Sequence, residues 1–366
     1  MIACVPEQKS EFYATEDKTI GEKESETQKT DEQFHRDRTE ENVASLGSLC
    51  SGRDNCVNFC LTSRGLCREF CDENGENRLC QTIFFTPRNE QSGNCKGTGT
   101  VKFTATPMPF EDLDYIVPLG QMSGGHVTPT DHGYYYSKKW HREELDNPER
   151  FVDIFAPGDG VITSIELVGN KPGDYRLIIF HTCNFYTIYI HVRELSNKIL
   201  AETGEIKRSI APNLEIKAGE LIGRASFFDF SVHDTNIQLP GFIVPEHYWP
   251  EYWKVHTVDM FAYFEEPVKT QLLEKNLRQA AQRTGKIDYD IDGKLVGNWF
   301  VKNTGYDGTE ENQNQGDYSE THISFVYDHL DPSLVIISTG DFNGEPVQFA
   351  VKGNAPDPQS ISQESG

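Results

Sequence analysis

Large apolar residues are almost missing from the first 48 positions and then return in changing rhythms along the chain. Residues 5 to about 48, typified by "EDKTIGEKESETQKTDEQFHRDRTEEN", cannot bury enough surface to offset the entropy of ordering. Residues 1–48 are therefore expected to form a flexible acidic tether. From 49 to 97 cysteine sets the pattern: "CVNFCLTSRGLCREFC" holds Cys56, Cys60, Cys67 and Cys71 as two C-x-x-x-C pairs. Residues four apart share a helix face, so this spacing predicts two short helices around a Ser-Arg-Gly turn, stapled by two disulfides. Four thiolates could instead hold zinc, although such sites favour C-x-x-C spacing.

Between 98 and 266 the texture becomes that of short strands with Gly, Pro and Asp turns. "TVKFTATPMPF", "GVITSIEL", "YRLIIFHT", "FYTIYIHV" and "SFFDFSVH" are rich in β-branched and aromatic residues, separated by "APGDG", "GNKPGD" and "KAGE". A helix is expected over 267–283, begun by Pro267 and stopped by Gly285, as a connector covering 267–284. Alternation returns in 285–366 and predicts a second, antiparallel β domain. "DYDIDG", Asp288 to Gly293, resembles the start of a calcium loop, but its twelfth position is Trp299 rather than Glu. A strand with Ile287, Tyr289 and Ile291 on one face, ending in an Asp-Gly turn, is expected there instead. The fold class is thus mainly β, with a small disulfide-rich helical hairpin near the N-terminus.

Composition narrows the partners. The 366 residues carry 57 acidic and 34 basic side chains, a formal charge of −23. That balance argues against nucleic acid and anionic membrane surfaces, both polyanions. No run of about 18 apolar residues is present to span a bilayer. The opening "MIAC" reads like the end of a lipoprotein signal grafted after a start Met, with Cys4 as lipidation site, so a lipid anchor is the one membrane link expected. Seven of the nine cysteines (Cys50, Cys56, Cys60, Cys67, Cys71, Cys80 and Cys95) fall between 50 and 95, a density typical of oxidised, extracytoplasmic protein. With Cys4 lipidated, eight remain, and Cys183 is either the outlying disulfide partner or a buried thiol.

Candidate chemistry centres on "GGHVTPTDHGYYY", residues 124–136, where His126, Asp131 and His132 precede three tyrosines. The stretch reads as half of a metal site or as a polar turn in which Asp131 bonds its own backbone. "EHYWPEYW", with Trp249 and Trp253, and the run Tyr134 to Tyr136, of which Tyr134 and Tyr135 are singled out, offer flat faces that could stack on sugar rings. Serine and cysteine nucleophile arrangements, phosphate loops and dinucleotide fingerprints are absent.

Four segments taken together, "VDIFAPGDGVITSIE", "FYTIYIHVREL", "IKAGELIGRA" and "FFDFSV", resemble in order and spacing the lysostaphin-type (LytM-like) zinc endopeptidases, over roughly 115–235. The resemblance implies a β-sandwich-like domain with a zinc cleft and, in active members, hydrolysis of peptide bonds in peptidoglycan. The family draws its groups from a His-x-x-x-Asp pair, a lone strand-end His and a His-x-His pair. His191 in "YIHV" matches the lone His, which implies a catalytic place near the water. Asp153 sits where the ligand Asp precedes "A-P", but the His expected four earlier is Glu149, which passes that role to His132 or His126; alternatively His132 is the true equivalent and its Asp has become Tyr136. The His-x-His pair falls on Phe227 and Asp229. His132, Asp153 and Asp229, with His126 as alternate, form the implied ligand set for zinc, the only cofactor expected. Phe227 can neither take a proton nor donate to an oxyanion, and one such donor is worth roughly 2.7–4 kcal/mol in other enzymes. The expectation is a degenerate domain that binds peptidoglycan, another envelope glycan or an envelope protein. An active zinc endopeptidase with an altered ligand set and a structural spacer are the rivals.

Overall fold

The computed structural model describes residues 95–302, 321–342 and 344–362. The tether, Cys4 and the hairpin cysteines Cys56, Cys60, Cys67 and Cys71 lie outside the described residues, as does the side chain of Trp249. Fifteen short strands and two short α-helices make the described part mainly β. The strands are β1 (Leu113–Val117), β2 (Gly133–Ser137), β3 (Val152–Phe155), β4 (Gly160–Leu167), β5 (Tyr175–Phe180), β6 (Phe185–Val192), β7 (Glu194–Leu195) and β8 (Ser209–Ile210). They continue with β9 (Leu214–Ile216), β10 (Leu221–Ala225), β11 (Phe227–Asp234), β12 (Gly297–Phe300), β13 (His322–Tyr327), β14 (Val335–Thr339) and β15 (Val347–Ala350). The helices are α1 (Asn197–Thr203) and α2 (Val268–Lys275).

The largest sheet runs β1-β2-β11-β6-β5-β4-β8, with β9 also paired to β4; β3-β10-β7 form a second sheet and β12 to β15 a third, in chain order. The central strands β2, β11 and β6 are antiparallel neighbours. Their period-two pattern places Tyr135, Tyr189, Phe228 and Phe230 on the face turned to the main core, each fully buried. Tyr135 stacks on Phe228 with ring centroids 5.2 Å apart and meets Phe230 edge-on at 5.5 Å. Burying side chains of this size contributes roughly 1.5–3 kcal/mol each.

Several expected elements come out differently. "TVKFTATPMPF" forms no strand; Phe103 makes a single bridge with Phe264, and Thr104 and Ala105 both donate to the Pro157 carbonyl. The helix predicted over 267–283 ends at Lys275, because Arg283 takes the Leu273 carbonyl and Asn276 turns back to the Arg283 carbonyl. Residues 286–291 pair with no strand. Asp288 Oδ2 accepts the Gly241 amide at 3.0 Å, and the Asp290 amide donates to the Gly241 carbonyl at 2.9 Å. A Cβ at Gly241 would stand 1.9 Å from the Asp288 carbonyl, so only glycine permits this approach.

Cys183, in the turn between β5 and β6, is disulfide-bonded to Cys95 across 88 residues. All described residues belong to one compact unit. Asn298 of β12 donates to the Tyr248 hydroxyl at 2.7 Å and Arg278 to the His329 carbonyl at 2.7 Å, two of the bonds that join the third sheet to the rest. No helix among the described residues is long and apolar enough to cross a membrane.

Candidate functional site

The face of the main sheet opposite the core carries the polar chemistry. Asp229 on β11 lies opposite Tyr134 of β2 on one side and Ile190 of β6 on the other. His132 precedes β2 directly, so the two strands bring the opening loop and the "FFDFSV" strand together. His191, near the end of β6, has φ +69°, a left-handed conformation unusual for a side-chain-bearing residue. The break in strand alternation lets its ring reach the same face as Asp229.

Each of these histidines is held from behind by a carboxylate. Asp131 Oδ1 lies 2.9 Å from His132 Nδ1, and Asp174 Oδ1 lies 3.0 Å from His191 Nδ1. Asp174 is itself bound to Arg193 at 2.8 Å. On the other side, His132 Nε2 is 3.5 Å and His191 Nε2 3.7 Å from Asp229 Oδ2, and the Tyr134 hydroxyl lies 3.2 Å from His132 Nε2. Asp229 is 3% exposed and its Oδ1 has no hydrogen-bond partner.

Burial sets the protonation of this group. It raises Asp229 above the usual carboxylate range, against the pull of His132 and His191. Burial also works to raise Asp131, but the His132 hydrogen bond and charge overcome it and hold Asp131 well below that range. His132 is pushed up by Asp229 and Asp131 in spite of burial, whereas burial takes His126 down to about 4. Glu251 is pushed by burial to about 7.

A cavity of about 290 Å³ opens on these residues. His126, His132, His191, Asp229, Glu251 and Trp253 line it, together with the aliphatic Leu167, Ile188 and Ile190. Glu251 and Trp253 come from a 3-10 segment, Pro245–His256, which is anchored by Lys254 Nζ to Thr128 Oγ1 at 2.9 Å and by the Trp253 carbonyl to His233. Beside the cavity a row of rings crosses three strands: Tyr115 on β1 stacks on Tyr136 of β2 at 4.8 Å, Tyr136 on Phe227 of β11 at 5.7 Å, and Phe227 reaches the His191 ring at 5.5 Å. Trp140 stands edge-on to Tyr136 at 4.9 Å. All three rings of the row are partly exposed.

The structure brings His126, His132, His191, Asp229 and Trp253 to the lining of one cavity. Asp153 is not among them. It lies on β3 of the second sheet, half exposed, opposite Arg224 at 3.6 Å, so the third ligand position assigned to it is not filled. Tyr135 and Tyr134 cannot serve as stacking faces: Tyr135 is fully buried in the core, and Tyr134 is 9% exposed with its hydroxyl on His132. Tyr136, Tyr115 and Trp140 take that place. Asp174 was also missed. "KPGDYR" has no local signal for it, and only the pairing of Tyr175 with Val192 brings it to His191.

Zinc requires three protein donors around an open position. Asp131 behind His132 follows the outer-shell pattern that orients metal-bound imidazoles. The donor set nevertheless does not close: Tyr136 stands four residues beyond His132 and gives its ring to Phe227. Among the described residues no group of three His, Cys, Asp or Glu side chains is placed to hold a metal ion.

No family model matches the sequence, and no curated protein is significantly similar to it. The solved structures that it resembles include a pore-forming complex, a zinc-containing peptidase and lysostaphin. One is the SpoIIQ–SpoIIIAH pore-forming complex, at 11% identity and TM-score 0.29, over 47% of this chain and 96% of that one. Another is a zinc-containing peptidase from Vibrio cholerae, at 16% identity and TM-score 0.26, over 37% of each chain. A third is lysostaphin, at 12% identity and TM-score 0.24, over 37% of this chain and 49% of that one. The chain therefore spans less than half the length of either peptidase, and at these scores no function transfers.

Proposed function

We propose that this chain is an extracytoplasmic envelope protein whose LytM-like domain binds peptidoglycan or a related envelope glycan without cleaving it. The observation that carries this reading is the ring row Tyr115–Tyr136–Phe227, which lies on the same sheet face as Asp229 and ends at His191. Aromatic faces stack on sugar rings and their polar tips meet hydroxyls, so a row across three strands suits an extended polymer. Phe227 also occupies the place where the resemblance asks for a histidine, and a phenyl ring offers no proton and no oxyanion contact. The Cys95–Cys183 disulfide agrees with an oxidising compartment.

The chain's own residues then have binding roles. Tyr136 and Phe227 present the platform, while His132 and His191, each fixed by its carboxylate, present ring nitrogens at its end. A working zinc endopeptidase is the competing reading, favoured by the carboxylate-backed histidines; the metal would polarise a peptide carbonyl and activate water. Sedimentation with purified peptidoglycan, combined with an assay for newly released amino groups after zinc loading, separates the two. Pelleting without release is expected. Release that disappears in His191→Ala would replace the binding reading with the enzymatic one, and neither effect would leave only a spacer.

A further inference from the structure

The third sheet leaves its two edges in different states. On β12 the Asn298 amide donates to Asp290 Oδ1 at 2.9 Å, so that edge is engaged from within the chain. β1, at the end of the largest sheet, is likewise met by the chain, through the Leu277 amide on the Ile116 carbonyl. β15 forms the far edge of the third sheet, and among the described residues it pairs with β14 alone. The Val351 amide donates to the Val335 carbonyl at 2.8 Å. Bonding alternates along an antiparallel pair, so Val351, Phe349 and Val347 turn their backbone groups to β14, while Gln348 and Ala350 turn theirs to the open edge.

The side chains point the same way. Edge strands are commonly blunted by Lys, Pro or a bulge. Val347–Ala350 contains neither residue, its register with β14 is unbroken, and Pro346 and Lys352 stand outside it. Gln348 is turned inward, where its Nε2 donates to Ser338 Oγ at 3.2 Å and to the Gly124 carbonyl at 3.3 Å. Val347 and Phe349 lie on the other face, 39% and 55% exposed, and Phe349 is the most exposed large apolar side chain among the described residues.

Symmetry decides what can pair here. The outward backbone groups belong to Gln348 and Ala350, one on each side of Phe349. A two-fold axis through Phe349 sets Gln348 of one copy opposite Ala350 of another, twice over, and each pair can exchange both N–H···O=C bonds. Phe349 then faces its own counterpart in the non-hydrogen-bonded position, with Cα atoms about 4.5 Å apart, where cross-strand side chains meet most closely. Antiparallel pairing also puts the Glu345 end of one strand at the Lys352 end of the other, whereas parallel pairing would join like charges.

We propose that β15 is a self-association edge, through which two copies of this chain join antiparallel and merge their four-stranded sheets into one. So short a strand buries far less than the roughly 1,600 Å² of a standard interface, so the dimer is weak and forms where the chain is concentrated.

The test is sedimentation equilibrium of the full chain over a wide concentration range, for the wild type, Phe349→Lys, Ala350→Pro and Trp299→Lys, with thermal midpoints on each. Ala350→Pro removes an amide that β14 does not use, so the ladder inside the chain survives. Trp299 is 47% exposed on the opposite edge strand of the same sheet and serves as control. The wild-type mass is expected to rise with concentration from one chain toward two, with association at least tenfold weaker in Phe349→Lys and Ala350→Pro and unchanged in Trp299→Lys. A wild type that stays monomeric throughout overturns the proposal, and this arm does not depend on any variant folding. Undiminished association in a folded Phe349→Lys or Ala350→Pro, or an equal loss in Trp299→Lys, also overturns it.

Discussion

The two faces of β2, β11 and β6 are built from adjacent residues of the same strands, yet they follow different rules. On the core face Tyr135, Phe228 and Phe230 pack ring on ring with no exposed surface. On the other face Tyr136 and Phe227 stack as closely but stay partly open, next to a carboxylate with an unpartnered oxygen. Stacking alone therefore does not distinguish a structural ring from a binding ring. What differs is whether anything covers it and whether the neighbouring polar atoms are satisfied.

Acid should disturb this contrast most. His233 on the cleft side of β11 has no carboxylate behind it, and burial holds it near 4, as it does His181; His322 is held near 3. Each stays neutral in the folded chain while the unfolded chain protonates near 6.5. Stability is therefore whole above about pH 6.5 and falls as pH drops toward 4, by roughly 1.4 kcal/mol per unit for each site. His132 has the opposite sign: its folded value is raised, so its contribution is present at low pH and is lost as pH rises through that value. Thermal midpoints measured from pH 7 to 4 should fall steeply in the wild type and less in His233→Gln; a flat profile contradicts the assignment.

Truncation on the core face comes next. Phe228→Ala should cost about 3–5 kcal/mol in denaturant unfolding, because its cavity cannot close between Tyr135 and Tyr189. Paired replacement of Cys95 and Cys183 by serine should cost about 2–4 kcal/mol, read in the same way with the wild type under reducing conditions as control. Tyr136→Ala, on the cleft face, should have the smallest effect on stability, since its ring is partly open to solvent where those of the core face are fully buried.

The sequence revealed one face better than the other. β4 and β6 follow their apolar runs to the residue, because a strand buried against a core declares itself by local composition. The candidate site was partly legible: His191 and Asp229 stand on segments that the resemblance singled out, His132 stands on the loop marked by its own His and Asp residues, and the sheet register brings the three together. Asp153 misled because "VDIFAP" matched locally while β3 belongs to another sheet. Asp174, Glu251 and the Tyr115–Tyr136–Phe227 row were not legible, because each depends on neighbours across strands or on the path of the 245–256 segment. Tyr134 and Tyr135 were chosen over Tyr136 for the same reason: a run of three tyrosines does not show which one faces solvent.

The most direct measurement is sedimentation of Tyr136→Ala with purified peptidoglycan, beside the wild type and with thermal midpoints taken on both. The account predicts that the wild type pellets and that the variant, equally stable, stays in the supernatant. Equal pelleting of the two, or a wild type that does not pellet, would contradict a polymer-binding role for the open face.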